Sequence, residues 1–372
     1  MTKGSLNMLR AGLTGPDRSA PGLKGGIPLV LAALPILSTL GALLVGAVLI
    51  AIAGINPLLA YYSLVRGALG NLYGFGETLT RFIPLTFCAL SFVFAFRTGI
   101  FNTGMEGQFY VGALGGILVG TMLHLPPVLH VIVSIGVAFL FGAIWASIAG
   151  VLMVTRGSSE IINTIMLTYI AALFVDNLIA GPLHDPSALV SQTQPIAAGL
   201  KLPVILPGTR LHVGFILAIA AAILVYLVLW RSSFGYKLRA VGLNPEAARF
   251  AGMNVKTLAL ASMFISGGMA GVGGAVELMG TLYRLTPGFS PGYGFDAIGV
   301  AVLGGEKPLG VVLAALLFAV IRVGAGSMQR DLGVPFPLVS VIQGLIILFI
   351  VGGTFASRVL QNAGARRVGH GH

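Results

Sequence analysis

Asn102, Glu106 and Gln108 sit close together between Gly99, Gly104 and Gly107, inside an otherwise apolar neighbourhood. Amides and a carboxylate at this spacing can exchange hydrogen bonds with the hydroxyls or ring nitrogens of a small polar solute. The glycines allow close backbone approach, which suits a discontinuous helix lining a cavity. A second group is Glu160, Asn163 and Thr164, and a third is Asp296 at the head of a short apolar stretch. Polar groups at membrane depth are expensive unless paired, so each is a functional candidate. The candidate solute pathway is therefore Asn102, Glu106, Gln108, Asn163, Thr164 and Asp296. Glu160 reads as helix-start chemistry, and Glu277 and Asp296 lie near segment ends where they can also face water. Catalysis finds no support. There is no nucleophile–base set, no phosphate-binding glycine loop and no cysteine or carboxylate company that would make His124 and His130 metal ligands. Those two histidines flank Leu125-Pro-Pro-Val-Leu129 and read as exposed loop residues, and Cys88, the single cysteine, as a small buried apolar residue. The expectation is no catalytic residue, no metal and no cofactor in this chain.

Residues 231–256 hold a different kind of signal, a polar loop with its own helix punctuation. Asn244 is a good N-cap, Pro245 suits the first helical position, Glu246 favours the positive N-terminal end, and Gly252 stops the chain. The spacing predicts a short helix over 245–251, with Ala247, Ala248 and Ala251 as small surfaces and Phe250 as an anchor. A capped helix bounded by Gly242 and Gly252 suits docking in a groove of a partner protein. Asn244, Pro245, Glu246, Ala247, Ala248, Phe250 and Gly252 are the candidate docking residues.

The elements that must carry these groups follow from composition. The chain has 372 residues, 56% apolar and 9% charged, with 53 glycines. A soluble domain carries about 25% charged residues, so this one lacks the charge to cover its apolar surface, and the continuous apolar runs exclude a transmembrane barrel. Ten stretches qualify as spans or part-spans: 27–52, 81–97, 104–122, 128–154, 160–180, 211–230, 257–280, 294–305, 309–325 and 336–354. The stretch 294–305 is too short to cross alone. Most Lys and Arg fall in the tail 1–26, at Arg97 and Arg156, in the 231–256 loop, at Lys307 and in the tail 355–372. That bias places both termini in the cytoplasm, and an even span count agrees. The net charge of +11 is accordingly topological, with no aromatic-interleaved stripe for nucleic acid. On this reading 53–80 and 181–210 are outer segments, the first with an interfacial helix near Tyr61 and Tyr62. Gly112, Gly116 and Gly120 form one row of small residues, and Gly267, Gly271 and Ala275 another; both favour tight packing within one subunit. Val111-Gly-Ala-Leu-Gly-Gly116 and Val300-Ala-Val-Leu-Gly-Gly305 echo each other weakly in segments that run in opposite directions.

The fold class expected is an all-α membrane protein, a polytopic bundle of about ten transmembrane helices with a broken or re-entrant helix. The permease domain would span 27–354 between two cytoplasmic tails. Arg239-Ala-Val-Gly-Leu-Asn-Pro-Glu-Ala-Ala-Arg-Phe-Ala-Gly252 resembles the cytoplasmic coupling segment of ABC-importer permeases of the branched-chain amino acid, ribose and nucleoside group. Gly99–Gln108, Glu160–Tyr169 and Gly294–Gly305 are similar to further stretches of that family, the second to its nucleoside branch. The resemblance covers roughly 80–354. It implies an inner-membrane permease for a nucleoside or simple sugar and a homologous or identical second permease subunit. It also implies an ABC ATP-binding subunit docked on the 240s helix, which would hydrolyse the ATP, and an extracytoplasmic substrate-binding protein. Membrane lipid would surround it. An ion-coupled secondary transporter using Glu106, Glu277 or Asp296 is the alternative.

Overall fold

In the computed structural model, residues 40–349 are described, apart from 42, 336, 339, 343, 346 and 347. The helices in order are α1 (Leu43–Ile52), α2 (Pro57–Leu69), α3 (Leu72–Phe96), α4 (Met105–Met122), α5 (Pro127–Arg156) and α6 (Glu160–Ala180). They continue with α7 (Gly214–Tyr226, extended by a π turn to Arg231), α8 (Ser233–Leu243), α9 (Pro245–Phe250), α10 (Val255–Glu277, extended by a π turn to Leu282), α11 (Tyr293–Leu303) and α12 (Pro308–Leu332). No strand occurs among the described residues; His184–Thr193 and Val204–His212 form isolated bridges in the 181–213 segment.

Two compact units divide the chain: 1–63 with 328–372, and Leu64–Ser327. In the first, Tyr61 donates to the Leu43 carbonyl at 2.6 Å and Ser63 to Asp331 at 2.5 Å. The second holds every candidate site residue named above.

Six helices are long and apolar enough to cross a membrane (α3, α5, α6, α7, α10 and α12), and α1 with α2 forms a bent pair that makes a seventh. The count of ten is not reached among the described residues. The candidates 27–52 and 336–354 lie largely outside them, as do the tails. The 104–122 candidate is α4, whose first turn carries Glu106 and Gln108, and 294–305 is the short α11. In the 53–80 segment α2, which carries Tyr61 and Tyr62, ends at Leu69, and α3 begins already at Leu72, capped by Asn71, whose side chain accepts from the Gly74 amide at 2.7 Å. Glu77 and Arg81 are thus helical, paired one turn apart at 2.8 Å.

The core is α10 against α3, α4 and α5. Its contacts explain the small-residue rows. A side chain at Gly112 would collide with the Gly271 backbone, and one at Gly142 with the backbone of Gly267 and Gly271. The two rows face one another inside the subunit, where backbone proximity replaces a hydrophobic drive. Proline at Pro127 opens α5, and Gly157, with φ 65°, closes it.

Candidate functional site

α3 and α10 run antiparallel, with Ser91 beside Ser266 and Arg81 beside Glu277. After Arg97 the chain turns through Thr98 and Gly99 and runs extended back into the bundle. Asn102 reaches the level of Ser91 and Ser266, and α4 begins only at Met105. Six residues of helix separate Ser91 from Arg97, so α4 starts about 9 Å above the end of α3. The segment 283–292 enters from the opposite end. Leu285 pairs with Thr193, Gly288 donates to Asp176 at 3.1 Å, and Gly292, with φ 92°, turns the chain into α11. α11 then runs alongside α3, from Tyr293 at Arg81 to Glu306 at Arg97. The N-termini of two oppositely directed helices, the 18-residue α4 and the 11-residue α11, therefore meet inside the bundle. Glu106 Oε2 accepts from the Gly294 amide at 2.5 Å, a carboxylate against the positive end of a helix.

Below this junction lies a buried polar cluster. Asn102 and Gln108 exchange two hydrogen bonds, each of 3.1 Å. Asn102 also donates to Ser266 at 2.9 Å, and Ser266 donates to the Ser91 carbonyl at 2.8 Å. Thr164, from α6, meets the Thr103 hydroxyl at 2.7 Å. The extended backbone is supported by the same groups: Gly104 N–H donates to Asn102 and Thr103 N–H to Thr164. Above the junction stands a charged cluster. Arg81 donates to Tyr293 at 2.6 Å and lies 3.7 Å from Glu277, while Arg322 of α12 pairs with Asp296 and covers the Tyr293 ring at 4.8 Å.

The sequence candidates thus divide. Asn102, Gln108 and Thr164 converge, and Glu106 sits on the junction. Asp296 is ion-paired and partly exposed, whereas Glu277 is 2% exposed and does not face bulk water as its position near a segment end suggests. Asn163 stands apart, donating to Ser158 at 2.6 Å in the turn before α6. His130 is not an exposed loop residue: it is buried on α5 with its ring against the Val119 carbonyl at 3.1 Å. His124 is exposed. Arg81, Arg322, Tyr293, Ser91, Ser266 and Thr103 were not among the candidates. Two of them carried a readable signal, a lone arginine in an apolar stretch.

In the 231–256 segment there are two helices, α8 and α9, rather than one. Asn244 caps α9 by accepting from Glu246 and Ala247 N–H, both at 3.0 Å. Gly252 follows with φ 79°. Ala248 is buried against the chain, and Phe250 is 94% exposed.

A bundle of apolar spans, with two broken helices meeting at buried polar groups and a capped helix projecting at one end, defines an integral membrane permease. Residues 74–351 match the family of branched-chain amino acid transport system permease components, and the chain belongs to that family. It is similar to the guanosine ABC transporter permease protein NupP of Bacillus subtilis (37% identical, covering 88% of this chain and 94% of the relative). A glucose ABC transporter permease protein of Haloferax volcanii is 35% identical over 87% and 88%, and a nucleoside ABC transporter permease protein of Lactococcus lactis 33% over 85% and 89%. The chain is the permease subunit of an ABC importer and not an ion-coupled transporter; it is not itself an enzyme, since ATP hydrolysis in this family lies in a separate subunit. Family membership implies an ATP-binding subunit and a substrate-binding protein as partners.

Proposed function

We propose that this permease moves a nucleoside, or failing that a simple sugar, inward across the cytoplasmic membrane, with both termini and the α8–α9 segment on the cytoplasmic side. The observation that carries the substrate class is the similarity, along nearly the whole chain, to permeases named for guanosine, nucleosides and glucose. The buried cluster supports it chemically. The reciprocal Asn102–Gln108 amide pair offers donors and acceptors that a ribose or a base can take over one for one, so opening the pair leaves no polar group unsatisfied. Asn102, Glu106, Gln108, Thr164 and Asp296 remain the pathway residues on this reading, and Asn163 is its weakest member.

The α9 surface supports docking of the ATP-binding subunit through Asn244, Pro245, Glu246, Ala247, Phe250 and Gly252, with Ala248 holding the helix to the rest of the chain. Phe250 exposes its whole ring in a polar segment, as a side chain does when a partner covers it. The second permease is proposed to be a related chain rather than an identical one. Bacillus subtilis has a second guanosine permease protein, NupQ, 31% identical to this chain over 65% of it, beside NupP. No bound cofactor is proposed for this subunit.

Uptake of labelled guanosine and glucose into cells carrying the chain with its partner subunits tests the reading. Guanosine uptake that glucose does not compete supports it; uptake of neither solute refutes it.

A further inference from the structure

Both broken segments are tied to the same residue, one at its start and the other at its end. From Arg97 the chain itself continues through 98–104 to Glu106. Also from Arg97, the guanidinium reaches the far end of α11: Nε donates to the Glu306 carbonyl at 3.1 Å, and Nη2 to the Glu306 and Gly305 carbonyls at 2.8 and 3.3 Å. The Glu306 carboxylate stands 3.6 Å away. Gly305 and Glu306 lie in the turn just past α11, which ends at Leu303 with Gly304 as its C-cap, and Glu306 N–H ties that turn back to the helix by donating to the Ala301 carbonyl at 3.0 Å. Glu306 is held at φ 55°, in the left-handed region that a non-glycine residue seldom occupies, and Gly305 before it at φ 61°. Since Glu106 and Gly294 are bonded to each other, the contacts close into a ring: Arg97, 98–104, Glu106, Gly294, α11, Glu306 and back to Arg97.

The α8 helix touches this ring at Arg97. At Gly242 there is no room for a Cβ, which would stand 3.0 Å from the Arg97 carbonyl carbon and 3.1 Å from the Gly99 nitrogen. Trp230, in the π turn leading to α8, lies 5.4 Å from the Arg97 guanidinium, and its ring also meets Arg239 of α8 at 6.0 Å. One arginine thus joins the α8–α9 segment to both α4 and α11, by chain on one side and by hydrogen bonds on the other.

We propose that Arg97, backed by Trp230, is the positioning residue through which movement of α8–α9 opens and closes the Glu106–Gly294 junction. This rests on the docking reading of α9. A shift of α8 cannot bypass Arg97, because Gly242 is already in contact with its backbone. Rigid packing carries a displacement at Arg97 into α11 as a whole, since an eleven-residue helix moves as one body.

The test uses the permease assembled with its ATP-binding subunit, second permease and binding protein in proteoliposomes, with guanosine uptake and ATP hydrolysis read together. Arg97→Gln and Trp230→Leu are expected to retain the ATP-binding subunit and to hydrolyse ATP within twofold of the unmodified complex, while uptake falls tenfold or more. Arg97→Lys keeps a cationic donor near the Glu306 carbonyl and is expected to recover uptake to within threefold. Uptake and hydrolysis falling in step, or uptake unchanged in both variants, overturns the proposal. Where Arg97→Gln does not assemble, Trp230→Leu decides alone. Glu246→Arg separates the two readings. If it keeps the ATP-binding subunit and full coupling, docking through α9 fails, whatever the Arg97 variants show.

Discussion

Arg81→Met tests whether the charged cluster above the junction holds α3 to α10. In the native protein the guanidinium is 2.8 Å from Glu77, 3.7 Å from Glu277 and 2.6 Å from the Tyr293 hydroxyl. Glu77 is the lesser partner, since an i,i+4 pair contributes only about 0.3–0.5 kcal/mol. Glu277 is different, because it is 2% exposed and has little water to fall back on. At 3.7 Å and an effective dielectric of about 20, the Coulomb attraction is about 4 kcal/mol. Removing one partner of a buried pair costs about 3–5 kcal/mol, which is the same size. Glu277→Gln in the Arg81→Met background removes the stranded charge, so the double variant should regain about 2 kcal/mol or more of that loss. The assay is equilibrium unfolding by SDS titration in mixed micelles for the four proteins of the cycle, where the coupling term is isolated by difference. Single effects that add to within about 0.5 kcal/mol would refute the argument, because independent sites behave that way.

Three further outcomes are expected. Gly271→Ala should cost about 1–3 kcal/mol by overpacking, since its Cβ would press on the Ala138 carbonyl and stand 3.1 Å from Gly142 Cα, whereas Gly136→Ala, with nothing within 4 Å, should be neutral or slightly stabilising; thermal unfolding of the purified protein compares them. Asn244→Ala removes the two-hydrogen-bond cap of α9 and should cost about 1 kcal/mol locally, read as faster amide exchange over 245–250 with the rest of the chain unchanged. His212, in the segment before α7, has its pKa pushed down from 6.5 to about 4 by burial and, secondarily, by the Arg210 charge, while its Nδ1 accepts from the Gly214 amide. The unfolded chain therefore binds this proton more readily, so stability is lost as the pH falls from about 6.5 towards 4. His212→Phe should show a shallower loss of melting temperature across that window than the unmodified protein; equal slopes would remove His212 from the account.

What the sequence made legible was whatever depends on local pattern. Apolar run length predicts the long spans, and the Asn-Pro-Glu start with a Gly stop predicts α9 to within a residue. The glycines around Asn102 predict a break, and the small-residue rows predict close packing. What escaped depends on partners remote in the chain. The start of α3 was missed by nine residues because Glu77 and Arg81 lower the hydropathy there, although each satisfies the other one turn away. Glu277 reads as water-facing because its counter-ion, Arg81, comes from another helix, and the Asp296–Arg322 pair is hidden in the sequence for the same reason. His130 read as a loop residue because Pro126-Pro127 suggests a turn. Pro127 instead occupies the first position of α5, which turns His130 onto Val119. Asn163 has the residue type of a pathway group, but its neighbour Ser158, five positions back, takes its amide.

The broken helices also explain why so many polar side chains lie in one zone. Backbone groups at membrane depth must be satisfied from within the protein, and an extended stretch or a helix N-terminus cannot do this for itself. Here Asn102 serves the Gly104 amide, Thr164 the Thr103 amide, and Glu106 the Gly294 amide. The pathway candidates are therefore also what makes the breaks tenable. A substitution such as Asn102→Leu should accordingly loosen the start of α4 as well as alter solute handling. Asn102→Asp, which retains an acceptor for the Gly104 amide, should separate the two effects. Expression and melting temperature near those of the unmodified protein, with altered uptake, would assign Asn102 to the solute. Equal losses of stability in both variants would assign it to the fold alone.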